Sequence, residues 1–167
     1  FLAGRYLAHS RQRAADYLIW LEGTPLAALN FADRPSRSFP LLMAHSLTRV
    51  SESARVAIGV AGLLALEPFD RDPVISALEI SVVEADRALG ELVDHGLLVR
   101  PGDGYRITHA LAHTYARQEI SPEGTILARL AEHYVALTKV QSELGPPGYR
   151  VLDSHRAHIL AVQAACL

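Results

Sequence analysis

The sequence predicts a mainly α-helical protein that carries one small β-hairpin. Apolar residues recur at helical spacing through most of the 167 residues. Glycine, proline and serine interrupt this period at intervals, as they do where helices begin and end. Two short β-like runs lie on either side of Pro101-Gly102-Asp103-Gly104, a sequence that is typical of a hairpin turn. These three observations place the chain in the mainly α class.

Composition indicates an ample apolar core and no strong electrostatic field. Apolar residues make up 50% of the chain, and the formal net charge is -2. Such a balance gives no general attraction to nucleic acid or to an anionic membrane. The single cysteine, Cys166, excludes an internal disulfide, and its apolar surroundings favour a place in the core. We expect a cytoplasmic protein with no membrane span.

The first predicted unit covers residues 1–38. Leu2, Tyr6, Leu18 and Leu21 recur at helical spacing, and a short second helix is predicted over 26–30. The polar loop 32–38 ends the unit. Because the chain opens in helical period without an initiator methionine, we expect it to be cut from a longer parent.

The second unit covers residues 39–120 and begins with a short helix. A long apolar helix is predicted from Ser51 to Leu66, and it should be buried. Asp72 is predicted to cap the next helix, with Pro73 at its first position. Serine followed three residues later by glutamate in the run 81–84 has capping-box spacing, and the third helix should end at Gly96.

The hairpin follows this third helix, and one more helix is predicted over 108–118. Three helices followed by a hairpin is the order of a winged helix-turn-helix, a DNA-binding fold in many proteins. The third helix, however, is net acidic, with Glu84, Asp86, Glu91 and Asp94 against Arg87. Phosphates would be repelled, so we expect this helix to face solvent or protein.

The third unit covers residues 121–167 and is predicted to contain an amphipathic helical pair. Ile126, Leu130 and Tyr134 form an apolar stripe on the first helix, where packing is the expected role of the tyrosine. After Gly145-Pro146-Pro147-Gly148, read as a loop, the second helix is predicted from Asp153 to Leu167. The pair looks like the opening of a stacked helical-hairpin array.

Several stretches together resemble the winged-helix region of STAND signalling ATPases, the NB-ARC or AP-ATPase-like proteins. The stretches are 39–47, 55–66, 88–98 and 105–111, and residues 151–161 resemble the start of a tetratricopeptide region. The resemblance implies the end of a helical domain, a winged-helix domain and the start of a tetratricopeptide-like region. It also implies a regulatory role in nucleotide-dependent signalling or transcription regulation.

One residue has a chemical role by this resemblance. The family's Met-His-Asp motif follows the wing, and its histidine contacts the β-phosphate of bound ADP. Thr108-His109-Ala110 lies at that place, so His109 is the implied nucleotide contact, although its two neighbours differ from the motif. An imidazole at a helix start is well placed to donate a hydrogen bond to phosphate.

The segment itself is not expected to be an enzyme, because it has no phosphate-binding loop and its one lysine, Lys139, follows no glycine-rich loop. ADP or ATP is therefore expected only in the parent protein. The resemblance implies two partners, the parent's nucleotide-binding domain and a protein or ligand at the tetratricopeptide-like region. Exposed apolar patches are expected to let the isolated segment dimerise. A DNA-binding transcriptional regulator and a protein-interaction module without nucleotide control are the alternatives.

Two histidine pairs have spacings that metal ligands use. His109 and His113 are four residues apart, and His155 and His158 are three apart. No third ligand is evident, and no glutamate lies between His109 and His113 as a hydrolytic zinc helix requires. We therefore expect no metal and interpret these side chains as solvent-facing or hydrogen-bonded.

Overall fold

The computed structural model describes residues 42–120 and 124–167. The predicted helices of the first unit, residues 1–38, lie outside the described residues. The described chain is mainly helical with one two-stranded antiparallel sheet, which confirms the predicted class. Its elements are α1 (42–47), α2 (Glu52–Leu63), α3 (Asp72–Leu78), α4 (Val82–Asp94), β1 (Leu98–Val99), β2 (Arg106–Ile107), α5 (Ala110–Glu119), α6 (Gly124–Glu143) and α7 (Pro146–Ala165).

Helix α2 is the centre of the core, as its apolar composition predicts. The Ser51 hydroxyl caps it by accepting from the amide of Ala54, and every residue from Ala57 to Leu63 is buried. Helices α3, α4 and α5 all pack against α2. A β-carbon on Gly62 would lie 2.8 Å from the backbone nitrogen of Arg117, so glycine lets α5 approach closely.

Helix α2 ends at Leu63, earlier than the predicted Leu66. Leu64 is already extended, with a ψ of 169°, and the segment 64–68 runs without regular structure. The helix stops here because three polar groups of this segment bond to histidine side chains from α5 and α7, not to helical neighbours. Tertiary contacts of this kind leave no trace in local periodicity.

The caps of α3 and α4 agree only in part with the sequence. The predicted cap of α3 at Asp72 is wrong, because Asp72 already lies inside the helix and its amide donates to the Asp70 carboxylate at 3.0 Å. The capping box of α4 is confirmed. Ser81 and Glu84 satisfy each other's backbone amides, at 2.9 and 3.3 Å.

The hairpin is confirmed, with Leu98 opposite Ile107 and Val99 opposite Arg106. Gly102 in the connection has a φ of 63°, which glycine adopts without strain. A further backbone bridge joins Phe69 to Tyr105 through hydrogen bonds of 2.8 and 2.7 Å. The chain between α2 and α3 is therefore attached to the hairpin.

Helices α6 and α7 form an antiparallel hairpin that packs on the rest of the described chain. Helix α6 lies against α3, and α7 contacts α2. The prediction that α7 begins at Asp153 is wrong, because it begins at Pro146 with proline in the first turn, where no amide is needed. A β-carbon on Gly148 would collide with the carbonyl oxygen of Gln141, so only glycine fits where the two helices meet.

Two further findings concern the surface. Cys166 is exposed, not buried as its apolar neighbours suggest, because it lies beyond the end of α7. Among the helices described here, none combines the length and apolar character that crossing a membrane would require.

Candidate functional site

The implied nucleotide contact, His109, lies at the junction between the sheet and α5. It is the N-cap residue of α5, and its Nδ1 accepts a hydrogen bond of 3.1 Å from the amide of Leu111. The side chain is exposed. Thr108, just before it, is anchored to the end of α4, where its hydroxyl donates to the carbonyl of Gly96 at 2.8 Å. The position of His109 is therefore fixed by α4 and β2 together.

This geometry determines which ring nitrogen of His109 can act as a donor. Nδ1 accepts from a backbone amide, so the proton of the neutral ring lies on Nε2. The start of α5 also carries the partial positive charge of a helix N-terminus. An Nε2–H beside such a terminus is suited chemically to a phosphate oxygen.

The acidic side chains of α4 are used largely in structural contacts. Glu91 accepts from the Ser51 amide at 2.7 Å and from its hydroxyl at 2.6 Å, which ties α4 to the start of α2. Asp86 pairs with Arg71 at 2.9 Å. The hydroxyl and amide of Ser81 donate to Glu84, and these hydrogen bonds lower the pKa of that carboxyl.

The outer surface of α4 and of the hairpin is mixed in character. Val83, at the start of α4, is 76% exposed. The Arg100 guanidinium lies 5.2 Å from the centre of the Tyr105 ring, a cation–π contact that occupies one face of that cation. A shallow cleft beside them is lined by Asp86, Asp94 and Arg100, so its charges oppose one another. This surface has no basic stripe of the kind that tracks a phosphate backbone.

The two members of each predicted histidine pair do not share a site. His113 Nε2 donates to the carbonyl of Leu64 at 2.7 Å, toward the core, whereas His109 is exposed at the helix start. His158 is 1% exposed and bonds to backbone groups with both nitrogens, at 3.2 and 3.0 Å. In the part of the chain that the structure describes, no three His, Cys, Asp or Glu side chains are placed to hold a metal ion.

Sequence reasoning missed the importance of His158. In the sequence only its spacing from His155 singles it out, yet it is the one buried polar residue among those described. Its partners, Ala65 and Pro68, lie far away in the sequence. The available signal was a histidine on an otherwise apolar helix face. That pattern does not indicate which groups the histidine bonds to.

A groove of about 520 Å³ lies between α6 and α7. Its walls are mainly apolar and include Val135, Ile159, Val162 and the exposed Cys166. Tyr134, also in the groove wall, is 3% exposed, which confirms its predicted packing role. Its hydroxyl has no hydrogen-bond partner within the described ranges, and burial raises its pKa.

Comparison with family models, with curated proteins and with solved structures gives no match to this chain.

Proposed function

We propose that this chain is the regulatory segment of a STAND-type nucleotide-dependent signalling ATPase, in which a winged-helix domain closes over ADP and passes the switch to a helical sensor region. The observation that carries the proposal is the place of His109. It is the N-cap of the helix that directly follows the hairpin, with its neutral-ring proton on Nε2. A nucleotide phosphate is the ligand that this donor and the helix terminus favour together.

The order of elements supports the winged-helix part of the proposal. Three helices, α2, α3 and α4, precede the β1–β2 hairpin, and the Phe69–Tyr105 bridge adds a third extended segment from between α2 and α3. A hairpin wing attached to such a segment is the arrangement expected of this fold. Fold alone does not specify function, so the argument for nucleotide depends on His109.

The contacts of α6 support the sensor part. The carboxylate of Glu79, at the end of α3, pairs with Arg129 at 2.6 Å, and Ser76 bonds to His133 at 2.8 Å. A movement of the helical hairpin would therefore act on α3 directly. Allosteric coupling requires two sites that bias the same two states, and these contacts would link the sensor region to α3.

The test uses His109→Ser in the full-length parent, with ADP dissociation as the measurement. Serine keeps the N-cap of α5, so the variant removes the imidazole and leaves the helix start intact. One charge-assisted hydrogen bond is typically worth about 1.5–3 kcal/mol, so we expect ADP to leave about ten to a hundred times faster.

The matched control is Gln118→Ser, an exposed position near the other end of α5. It should leave the ADP dissociation rate unchanged. Equal dissociation rates for the parent and His109→Ser would refute the nucleotide contact. A parent that binds no ADP at all would favour the protein-interaction module.

A further inference from the structure

The irregular segment after α2 is held by two imidazoles that come from different helices. His113 of α5 donates to the carbonyl of Leu64 at 2.7 Å. His158 of α7 accepts from the amide of Ala65 at 3.2 Å and donates to the carbonyl of Pro68 at 3.0 Å. We call these three hydrogen bonds and the segment 64–68 the histidine latch. The latch joins α7 to the end of α2.

The two histidines differ in how they tolerate protonation. A carbonyl only accepts, so the bond between His113 and Leu64 requires a proton on Nε2 and is kept by both the neutral and the charged ring. His158 faces a donor on one side and an acceptor on the other. Its Nδ1 must be unprotonated and its Nε2 protonated, so only one neutral tautomer fits.

Protonation of His158 would place two donors face to face at Ala65. It would also place a positive charge on a side chain that is 1% exposed. Burial lowers the pKa of His158 below its ordinary value of 6.5, and outweighs the carbonyl of Pro68 and the carboxylates of Asp70 and Glu67 that raise it.

Among the described residues, the carboxylates of Glu67 and Asp70 favour the charged ring, but burial outweighs them. The His155 ring centre lies 6.5 Å from that of His158, so a second protonated ring would repel the first. On α6, His133 bonds to the hydroxyl of Ser76, which can accept as well as donate, so that contact survives protonation. The titratable groups around the latch are Glu67 and Asp70 from the segment and its continuation, Asp72 from α3, His133 and Tyr134 from α6, and His155 from α7.

We propose that His158 makes the histidine latch pH-sensitive: the neutral side chain joins α7 to the segment 64–68, and the protonated side chain releases that segment. The site is independent of His109 and of nucleotide. Helix α6 stays on α3 during release, because its contacts there, His133 with Ser76 and Arg129 with Glu79, involve neither His158 nor the segment 64–68. Acid therefore loosens one edge of the helical hairpin and does not unfold the protein.

The sign of the effect follows from the lowered pKa. Well above pH 6.5 the ring is neutral in both the closed and the open latch, so the equilibrium is constant. Below pH 6.5 the open form binds a proton that the closed form resists. The opening constant should therefore rise about tenfold per pH unit, until the pH reaches the pKa of the closed form.

The test is amide hydrogen exchange at Ala65 in the 167-residue chain, corrected for the intrinsic exchange rate at each pH. We expect the protection of this amide to be constant above pH 6.5 and to fall about tenfold per pH unit below it. His158→Gln supplies an acceptor and a donor that do not titrate, so its protection should not change with pH. His113→Gln, the matched control, should keep the wild-type pH dependence.

Three outcomes would overturn the proposal. The first is protection of the Ala65 amide that does not change with pH. The second is an equal loss of protection at core amides such as Val60, which would indicate global unfolding. The third is a pH dependence that persists in His158→Gln. Should that variant fold poorly, imidazole nitrogen chemical shifts of the wild type decide the matter, since a His158 pKa at or above 6.5 contradicts the latch.

Discussion

At the scale of single residues, the chain uses polar side chains to end and join helices. Glu91 lies in the last turn of α4, yet both of its oxygens bond to Ser51 at the start of α2. The carboxylate therefore caps a helix from a different element, where it also meets the positive end of the helix dipole. Local sequence signals identify Ser51 as a helix cap, but they do not indicate that Glu91 contacts it.

This contact predicts the effect of Glu91→Ala. The change removes two acceptors from the start of α2, so the free energy of unfolding should fall by about 1–2 kcal/mol. In urea denaturation this loss of stability should appear as a lower midpoint, with the dependence of the unfolding free energy on urea concentration unchanged. Arg87→Ala, at an exposed position on the same helix, should change stability by less than about 0.5 kcal/mol. Equal midpoints for the two variants would show that the Glu91 contact contributes nothing.

At the scale of elements, close packing depends on where glycine lies. Gly62 allows the backbone of α5 to approach α2, whereas a β-carbon on Gly90 of α4 would meet nothing within 4 Å. Both glycines lie inside helices, where glycine is less favourable than alanine in the absence of contacts. The same substitution should therefore have opposite effects at the two positions.

Gly62→Ala should destabilise the protein by about 1–3 kcal/mol, because the new methyl group overpacks the crossing with α5. Gly90→Ala should stabilise it by about 0.5–1 kcal/mol, because it restricts only the unfolded chain. Thermal unfolding should show midpoints that move in opposite directions. A raised midpoint for Gly62→Ala would mean that α2 and α5 do not approach as closely as described.

The elements that sequence reasoning found are those with local signals. Capping of α4, the hairpin turn and the apolar period of α2 are all properties of neighbouring residues. The start of α7 was misplaced because two prolines suit a loop as well as a first helical turn. The Phe69–Tyr105 bridge and the hydrogen bonds of His158 both use backbone groups of residues that are distant in the sequence. Because every residue type carries the same backbone groups, the sequence does not indicate these contacts. The site residue His109 was found only through a family resemblance.

At the scale of the whole molecule, charge and apolar exposure indicate what the described surface can bind. The acidic side chains of α4 are engaged in capping and pairing, and the cation of Arg100 lies over an aromatic ring. Valine side chains are exposed at the start of α4, and further apolar residues, including Val135 of α6, are exposed on the helical hairpin. Both features favour contact with protein over contact with phosphate backbones.

The 167-residue chain should therefore not retard duplex DNA in a gel-shift assay, even at low salt. Too few free cations face outward on α4 and the hairpin for counterion release to drive binding. Retardation that weakens steeply as salt is added would contradict this expectation, and it would support the DNA-binding alternative.

The bridge between Phe69 and Tyr105 joins residues that have α3, α4 and β1 between them. Closing so long a loop costs conformational entropy that two hydrogen bonds cannot offset alone. The bridge therefore depends on the packing of α3 and α4 against α2, which brings its two residues together. Together with that packing, this bridge favours folding of the chain from α2 to β2 as one cooperative unit.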